Sequence, residues 1–217
     1  CLFHLPDHIS FAEGSVLEPA SNGYKAIIQE GWLKPGESVV VFGVGPLALM
    51  PVQLAKIAGA DKIIVVGLTS DRKMRFDIAK KYGATHFITS DTQDPVEEVE
   101  KIAGKYGVRL AIDAAGVPVT SHMAVEIVHN EGTVVRIGNP EIPYNYSLNN
   151  ITNKSVTFRG HMGYNSESWI NCMKLAASGQ LDLKSIITCE LPLSEFDKGF
   201  RMVSSGEASK VILIPED

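Results

Sequence analysis

Residues 38–59, SVVVFGVGPLALMPVQLAKIAG, set Gly43, Gly45 and Ala48 in G-x-G-x-x-A spacing behind a run of valines. The chemistry open to that spacing is anion binding by the main chain. The first glycine turns the chain tightly from strand to helix. The second lets the backbone approach a pyrophosphate at the helix N-terminus, where free amides and the dipole favour negative charge. Alanine is an accepted third residue, keeping helix and strand close. Pro46 falls at about the first helical position, where a missing N–H costs nothing. Pro51, deeper in, removes a helix hydrogen bond and predicts a kink rather than a break. A tight turn in another kind of α/β domain is the competing reading. The strand before the motif and the helix after it favour a dinucleotide site.

The following strand ends at Gly67. An acid there would accept hydrogen bonds from the adenosine ribose and repel a 2′-phosphate. Glycine removes that repulsion. Thr69 and Ser70 offer hydroxyls, and Arg72 and Lys73 offer cations suited to a phosphate, so NADP is expected ahead of NAD. Two alternatives stay open. Arg72, Lys73 and Arg75 read equally as a solvated helix start, and Asp71 could itself reach the ribose and restore a preference for NAD.

Little else has the residue types or spacing of a catalytic centre. The sequence has no His-Glu pair, no HExxH and no CxxC. His4, His8, His86, His122, His129 and His161 lie at unrelated places and are expected as surface or capping residues. Asp113, in IDAAG, is expected to shape a cofactor crevice rather than to react. No catalytic residue is assigned.

The elements that must position the glycine loop alternate. SVVVF (38–42), KIIVVG (62–67), HFIT (86–89), RLAID (109–113), GTVVRIG (132–138) and SVTFRG (155–160) read as strands. Between them, residues 46–59, 72–83, 94–107 and 120–132 carry apolar residues at helical spacing and end at glycine. Strands alternating with helices predict an α/β fold, a doubly wound parallel sheet of Rossmann type with helices on both faces. Residues 1–30 and 166–217 fall outside the alternation. The first predicts a helix from about Glu13 to Gln29. The second predicts helices at 166–178 and 194–205 and strands at 187–192 and 210–215. The division expected is a linking segment (1–30), a Rossmann domain (31–165) and a returning segment (166–217).

A net charge of -5 speaks against a nucleic-acid partner. No apolar run is long enough to span a membrane. Three scattered cysteines, Cys1, Cys172 and Cys189, point to a reducing compartment, the cytoplasm. The chain begins at Cys1 without a signal-peptide pattern and reads as an excised fragment or a processed product.

Taken together, VVVFGVGPLALMPVQLAKIAGA, AIDAAG, GTVVRIG and SGEASKVILIP resemble the nicotinamide half of the zinc-type medium-chain dehydrogenase/reductase family. LPDHISFAEGSVLEPASNGYKA is similar to its alcohol, polyol (sorbitol-type) and threonine dehydrogenase branch, with departures at Asn22 and Tyr24-Lys25 and in the long GLTSDRKMR loop. The resemblance implies that Gly43, Gly45, Pro46 and Leu47 cradle the pyrophosphate. It implies that Ala114, Ala115, Gly116, Ile137, Gly138 and Asn139 face the nicotinamide, and that Lys210, which alone reads as a surface lysine near a strand, reaches the cofactor phosphates. Glu18 matches a glutamate beside the catalytic zinc, either a ligand or a holder of its water; alone it reads as an ordinary helix residue. The remaining zinc ligands would come from a catalytic domain outside these residues. The chain alone is therefore expected to bind cofactor without turnover. The intact protein is expected to act on a small alcohol or polyol as a homodimer or homotetramer. A zinc-independent quinone or enoyl reductase of the same superfamily, and a non-catalytic nicotinamide-sensing module, are the competing readings.

Overall fold

Short runs of valine and isoleucine, too brief for helices and bounded by glycine, form the strands of the central sheet. The computed structural model describes residues 2–216; Cys1 lies outside the described residues. The chain enters through α1 (Phe11–Gly14), α2 (Leu17–Tyr24) and a π-helical segment, Lys25–Glu30. The sheet then begins: β1 (Val39–Phe42), α3 (Pro46–Ile57), β2 (Ile63–Gly67), a 3-10 turn at Thr69–Arg72, α4 (Arg75–Lys81) and β3 (His86–Thr89). Its second half is α5 (Pro95–Ala103), β4 (Val108–Asp113), α6 (Pro118–Ile127), β5 (Val128–Arg136), α7 (Asn149–Asn153) and β6 (Thr157–Gly160). Then come α8 (Ser166–Ala177), β7 (Ile187–Pro192), a 3-10 turn at Leu193–Glu195, α9 (Phe196–Ser204) and β8 (Lys210–Ile214).

The six strands order as β3-β2-β1-β4-β5-β6, every pair parallel. This is the doubly wound order, and its direction switches between β1 and β4. Successive strand residues point to opposite faces. Val39, Val41, Ile63, Val65, Leu110 and Ile112 join one core with residues of α2, α3, α4 and α8. Val40, Phe42, Ile64, Val66, Ala111 and Val134 join a second core with Val99 of α5 and Ala124 of α6. Helices on both faces match the architecture expected. β7 and β8 pair separately as a two-stranded parallel sheet.

Several local boundaries depart from expectation. The single helix expected from Glu13 to Gln29 is broken at Ser15 and Val16. A continuous helix would need an N–H from Pro19, whereas the break puts Pro19 in the first turn of α2, where no intrahelical bond is required. Ser10 and Glu13 form a capping box that starts α1 earlier than expected. The helix expected at 72–83 opens as a 3-10 turn, pinned by Asp71 accepting from the Leu68 amide, and becomes α-helical only at Arg75. The helix expected to stop at Gly132 stops at Ile127, because Val128 already pairs with Val108 in the ladder.

α3 runs unbroken through Pro51. The proline is accommodated by its neighbour: a Cβ on Gly23 of α2 would lie 2.9 Å from both the Pro51 nitrogen and its Cδ. A glycine and a nitrogen without hydrogen let the two helix backbones meet.

Candidate functional site

β1 and β4 part at their carboxyl ends, and the chain leaves in opposite directions, so a crevice must open there. Gly43 makes the turn after β1 with φ +102°, a conformation side chains rarely adopt, while its amide still bonds the Val66 carbonyl. Gly45 is the N-cap of α3, and a Cβ there would meet no atom within 4 Å. Open space therefore lies directly over the helix start. The Leu47 amide has no acceptor within the helix, as for any first-turn residue, and among the described residues it finds no backbone acceptor elsewhere.

The crevice has a volume of about 640 Å³. Gly43 and Val44 form its floor, Gly67, Ser70, Asp71 and Arg75 one wall, and Ala115 with Thr120 the other. Val203 to Gly206, at the end of α9, close it from outside. Pro46 borders an adjoining groove with Ser209 and Lys210, so Lys210 stands beside the α3 N-terminus. Another hollow, of about 420 Å³, lies at the amino ends of β4 and β5 between α5 and α6. It is on the wrong edge of a parallel sheet for a dinucleotide.

Asp113 is fully buried at the end of β4. Burial pushes its carboxyl up, against hydrogen bonds from the Ser121 hydroxyl, the Gly116 amide and the Thr120 hydroxyl. These bonds tie the Ala114–Gly116 loop to the start of α6. Arg136 donates to the Gly116 carbonyl from the β5 side. Gly116 sits at φ +70°, and a Cβ there would overlap the Gly138 backbone; one on Gly138 would lie 2.6 Å from the Gly116 nitrogen. The two loops meet backbone to backbone.

Of the expected cofactor residues, Gly43, Gly67, Ser70 and Ala115 share the crevice wall. Thr69 is not among the residues lining the crevice, and its amide donates to the Asp91 carboxylate. Arg72 donates to the Thr89 hydroxyl and leaves the crevice to Arg75, which is paired at 3.5 Å with Asp71 and donates to the Val203 carbonyl. The 3-10 turn causes the exchange: it shifts the phase of the helix, so Arg75 rather than Arg72 looks inward. Gly116, Ile137, Gly138 and Asn139 are not among the residues lining the crevice; Gly116 meets Gly138 backbone to backbone, Ile137 is buried and Asn139 is exposed.

Glu18 lies on the exposed side of α2, its Oε1 accepting from Asn22 at 2.6 Å. No group of three His, Cys, Asp or Glu side chains gathers among the described residues in a way that could hold a metal. Glu18 thus presents an exposed carboxylate, and among the described residues no set of metal ligands gathers around it. His161 corrects the expectation of surface or capping histidines. It is 9% exposed, with Nδ1 2.6 Å from a Glu30 carboxylate oxygen and Nε2 2.9 Å from the Asn22 Oδ1. Glu30 and Asn22 stand more than a hundred residues from His161, so no local pattern could reveal the cluster.

A family model described as zinc-binding dehydrogenase matches residues 43–178. The zinc-type alcohol dehydrogenase-like protein YdjL of Escherichia coli is 40% identical over 98% of this chain and 59% of its own length. L-threonine 3-dehydrogenase of Bacillus velezensis is 34% identical over 97% of this chain and 60% of its own. Among solved structures, alcohol dehydrogenase TADH from Thermus sp. ATN1 superposes with a TM-score of 0.88 at 30% identity, covering 98% of this chain and 62% of that one. The chain spans about three fifths of the length of the curated relatives it matches.

Proposed function

The chain belongs to the zinc-binding dehydrogenase family, and from that premise we propose that it is the nicotinamide-binding portion of an enzyme moving hydride between a secondary alcohol or polyol and NAD(P). The observation that supports this best is the open space over the α3 N-terminus at the switch between β1 and β4, reached by Gly43 and Gly45. In this reading the Gly45 and Leu47 amides bind the pyrophosphate, Pro46 directs the helix start toward it, and Lys210 adds a cation alongside. The Ala114–Gly116 loop and the Ile137–Asn139 rim receive the nicotinamide. Zinc, when bound in the intact protein, would supply a Lewis acid for the developing alkoxide. Glu18 is this chain's candidate toward it, and the segments at 1–30 and 166–217 lead to and from the catalytic domain.

We assign NAD as the preferred dinucleotide, with NADP as the second reading. Asp71 lines the crevice beside Gly67, where it can accept from ribose hydroxyls and repel a 2′-phosphate, while Arg72 is engaged by Thr89. Gly67, Ser70 and the Arg75 cation support NADP. Titrating the intact protein with NADH and NADPH separates the two. NADH is expected to bind more tightly, and Asp71→Ser to narrow or reverse the gap; tighter NADPH binding by the unaltered protein would overturn the assignment. A homodimer formed through the edge strand β6, and a cytoplasmic location consistent with the free Cys172 and Cys189, complete the reading. Among the described residues, no helix is long and apolar enough to cross a membrane.

A further inference from the structure

Asp113 and Arg136 end neighbouring strands and stand opposite one another in the β4–β5 register. Their side chains therefore leave the same face of the sheet at its carboxyl edge. Among the described residues the two do not form an ion pair, and Arg136 pairs with no other carboxylate. Both grip Gly116 instead. Asp113 Oδ1 accepts from the Gly116 amide at 2.7 Å, and a terminal nitrogen of Arg136 donates to the Gly116 carbonyl at 2.7 Å. The Thr120 and Ser121 hydroxyls, at 2.9 and 2.5 Å, hold the carboxylate from α6.

Gly116 joins two residues that face the crevice. Ala115 and Val117, on either side of it, both line that space, as does Thr120. A Cβ on Gly43 would stand 3.4 Å from the Ala115 nitrogen, so this loop lies directly against the glycine turn. Hydrogen bonds to charged partners are roughly twice as strong as neutral ones. The peptide groups on both sides of Gly116 are thus oriented before any ligand arrives.

Packing alone does not account for Arg136. Its Nε is buried and has no partner among the described residues, and its guanidinium is half-buried without a carboxylate. Both features are costly unless an anion comes near. A dinucleotide brings one. It crosses the switch point with its adenosine over β2 and its other half over the strands beyond β1, which are β4 and β5.

We propose that Arg136, working with Asp113, is a positioning residue for the dinucleotide, fixing the Ala115–Val117 wall of the crevice in its binding orientation. This deepens the function proposed above and rests on it. A wall set in advance does not have to be ordered when the cofactor enters, which removes that cost from binding.

The test measures NADH affinity of the intact protein for Arg136→Met, Arg136→Lys and, as a reference for the dinucleotide site, Gly45→Ala; thermal melting checks that each is folded. Arg136→Met keeps an apolar stem and removes the donor. It is expected to weaken NADH about tenfold or more, the worth of one hydrogen bond to a charged group. Arg136→Lys is expected to restore most of the affinity, because one bond to the Gly116 carbonyl is all that it has to make. A loss that lysine does not restore would mark a packing role and overturn the proposal. Unchanged affinity in Arg136→Met would overturn it too, and if Gly45→Ala still weakens NADH, the function proposed above stands. If Gly45→Ala also leaves NADH affinity unchanged, or the protein does not bind NADH, both are overturned. Should Arg136→Met fail to fold, NMR on the unaltered protein decides. The Gly116 amide should exchange slowly with or without NADH; exchange as fast as that of an open loop, slowed only by NADH, would overturn the proposal.

Discussion

In the cofactor site proposed above, Gly45 and Gly116 would serve for opposite reasons. Gly45 has extended backbone and open space where a side chain would go, so Gly45→Ala should fold normally and bind cofactor more weakly. Gly116 has positive φ and no room, so Gly116→Ala should lose on the order of 2–4 kcal/mol of stability through strain and displacement of Gly138. Thermal melting beside an NADH titration separates the two: Gly45→Ala should shift only the binding curve, and equal loss of melting temperature in both would contradict the assignment. The first two glycines were legible because a strand-turn-helix motif imposes local spacing. Arg75 was not, because a 3-10 turn rotates which cation faces inward. His161 was not either, because its partners are remote in sequence.

The order of strands and helices in the central sheet was readable from period and punctuation, since a strand buried on both faces must be a short apolar run. What escaped was set by single residues that override the pattern. Pro19 breaks the entry helix, Asp71 pins a tighter turn, and Val128 is claimed by the sheet. Gly23 carries the contact between α2 and α3. Gly23→Ala should separate these helices and cost roughly 1–3 kcal/mol, read as a lower urea midpoint with cofactor affinity retained; an unchanged midpoint would show that the helices can shift freely. The clamp between α4 and the segment before β7 is electrostatic. Burial pushes the Asp182 carboxyl up, but hydrogen bonds from Ser185 and the nearby Lys81 charge outweigh it and hold it below the usual range. A carboxyl lowered on folding contributes stability above its unfolded value of about 4, and loses it as pH falls through the folded value. Asp182→Asn should therefore lower stability at neutral pH more than in acid, and a pH-independent loss would argue against the charge.

At the scale of the whole molecule, α2 and α8 from the two flanking segments share one core with α3 and the sheet. That packing leaves Glu18 at the surface, at one end of a buried file of polar side chains, and the crevice at the carboxyl ends of the strands. In the function proposed above, this chain would hold the dinucleotide at that crevice, and most ligands of the metal would come from outside it. The most direct measurement is a crystal structure of the chain soaked with NADH. The pyrophosphate is expected within hydrogen-bond distance of the Gly45 and Leu47 amides, with the adenosine ribose against Asp71. Cofactor density in the hollow between α5 and α6, or none over the α3 N-terminus at saturating NADH, would contradict the account.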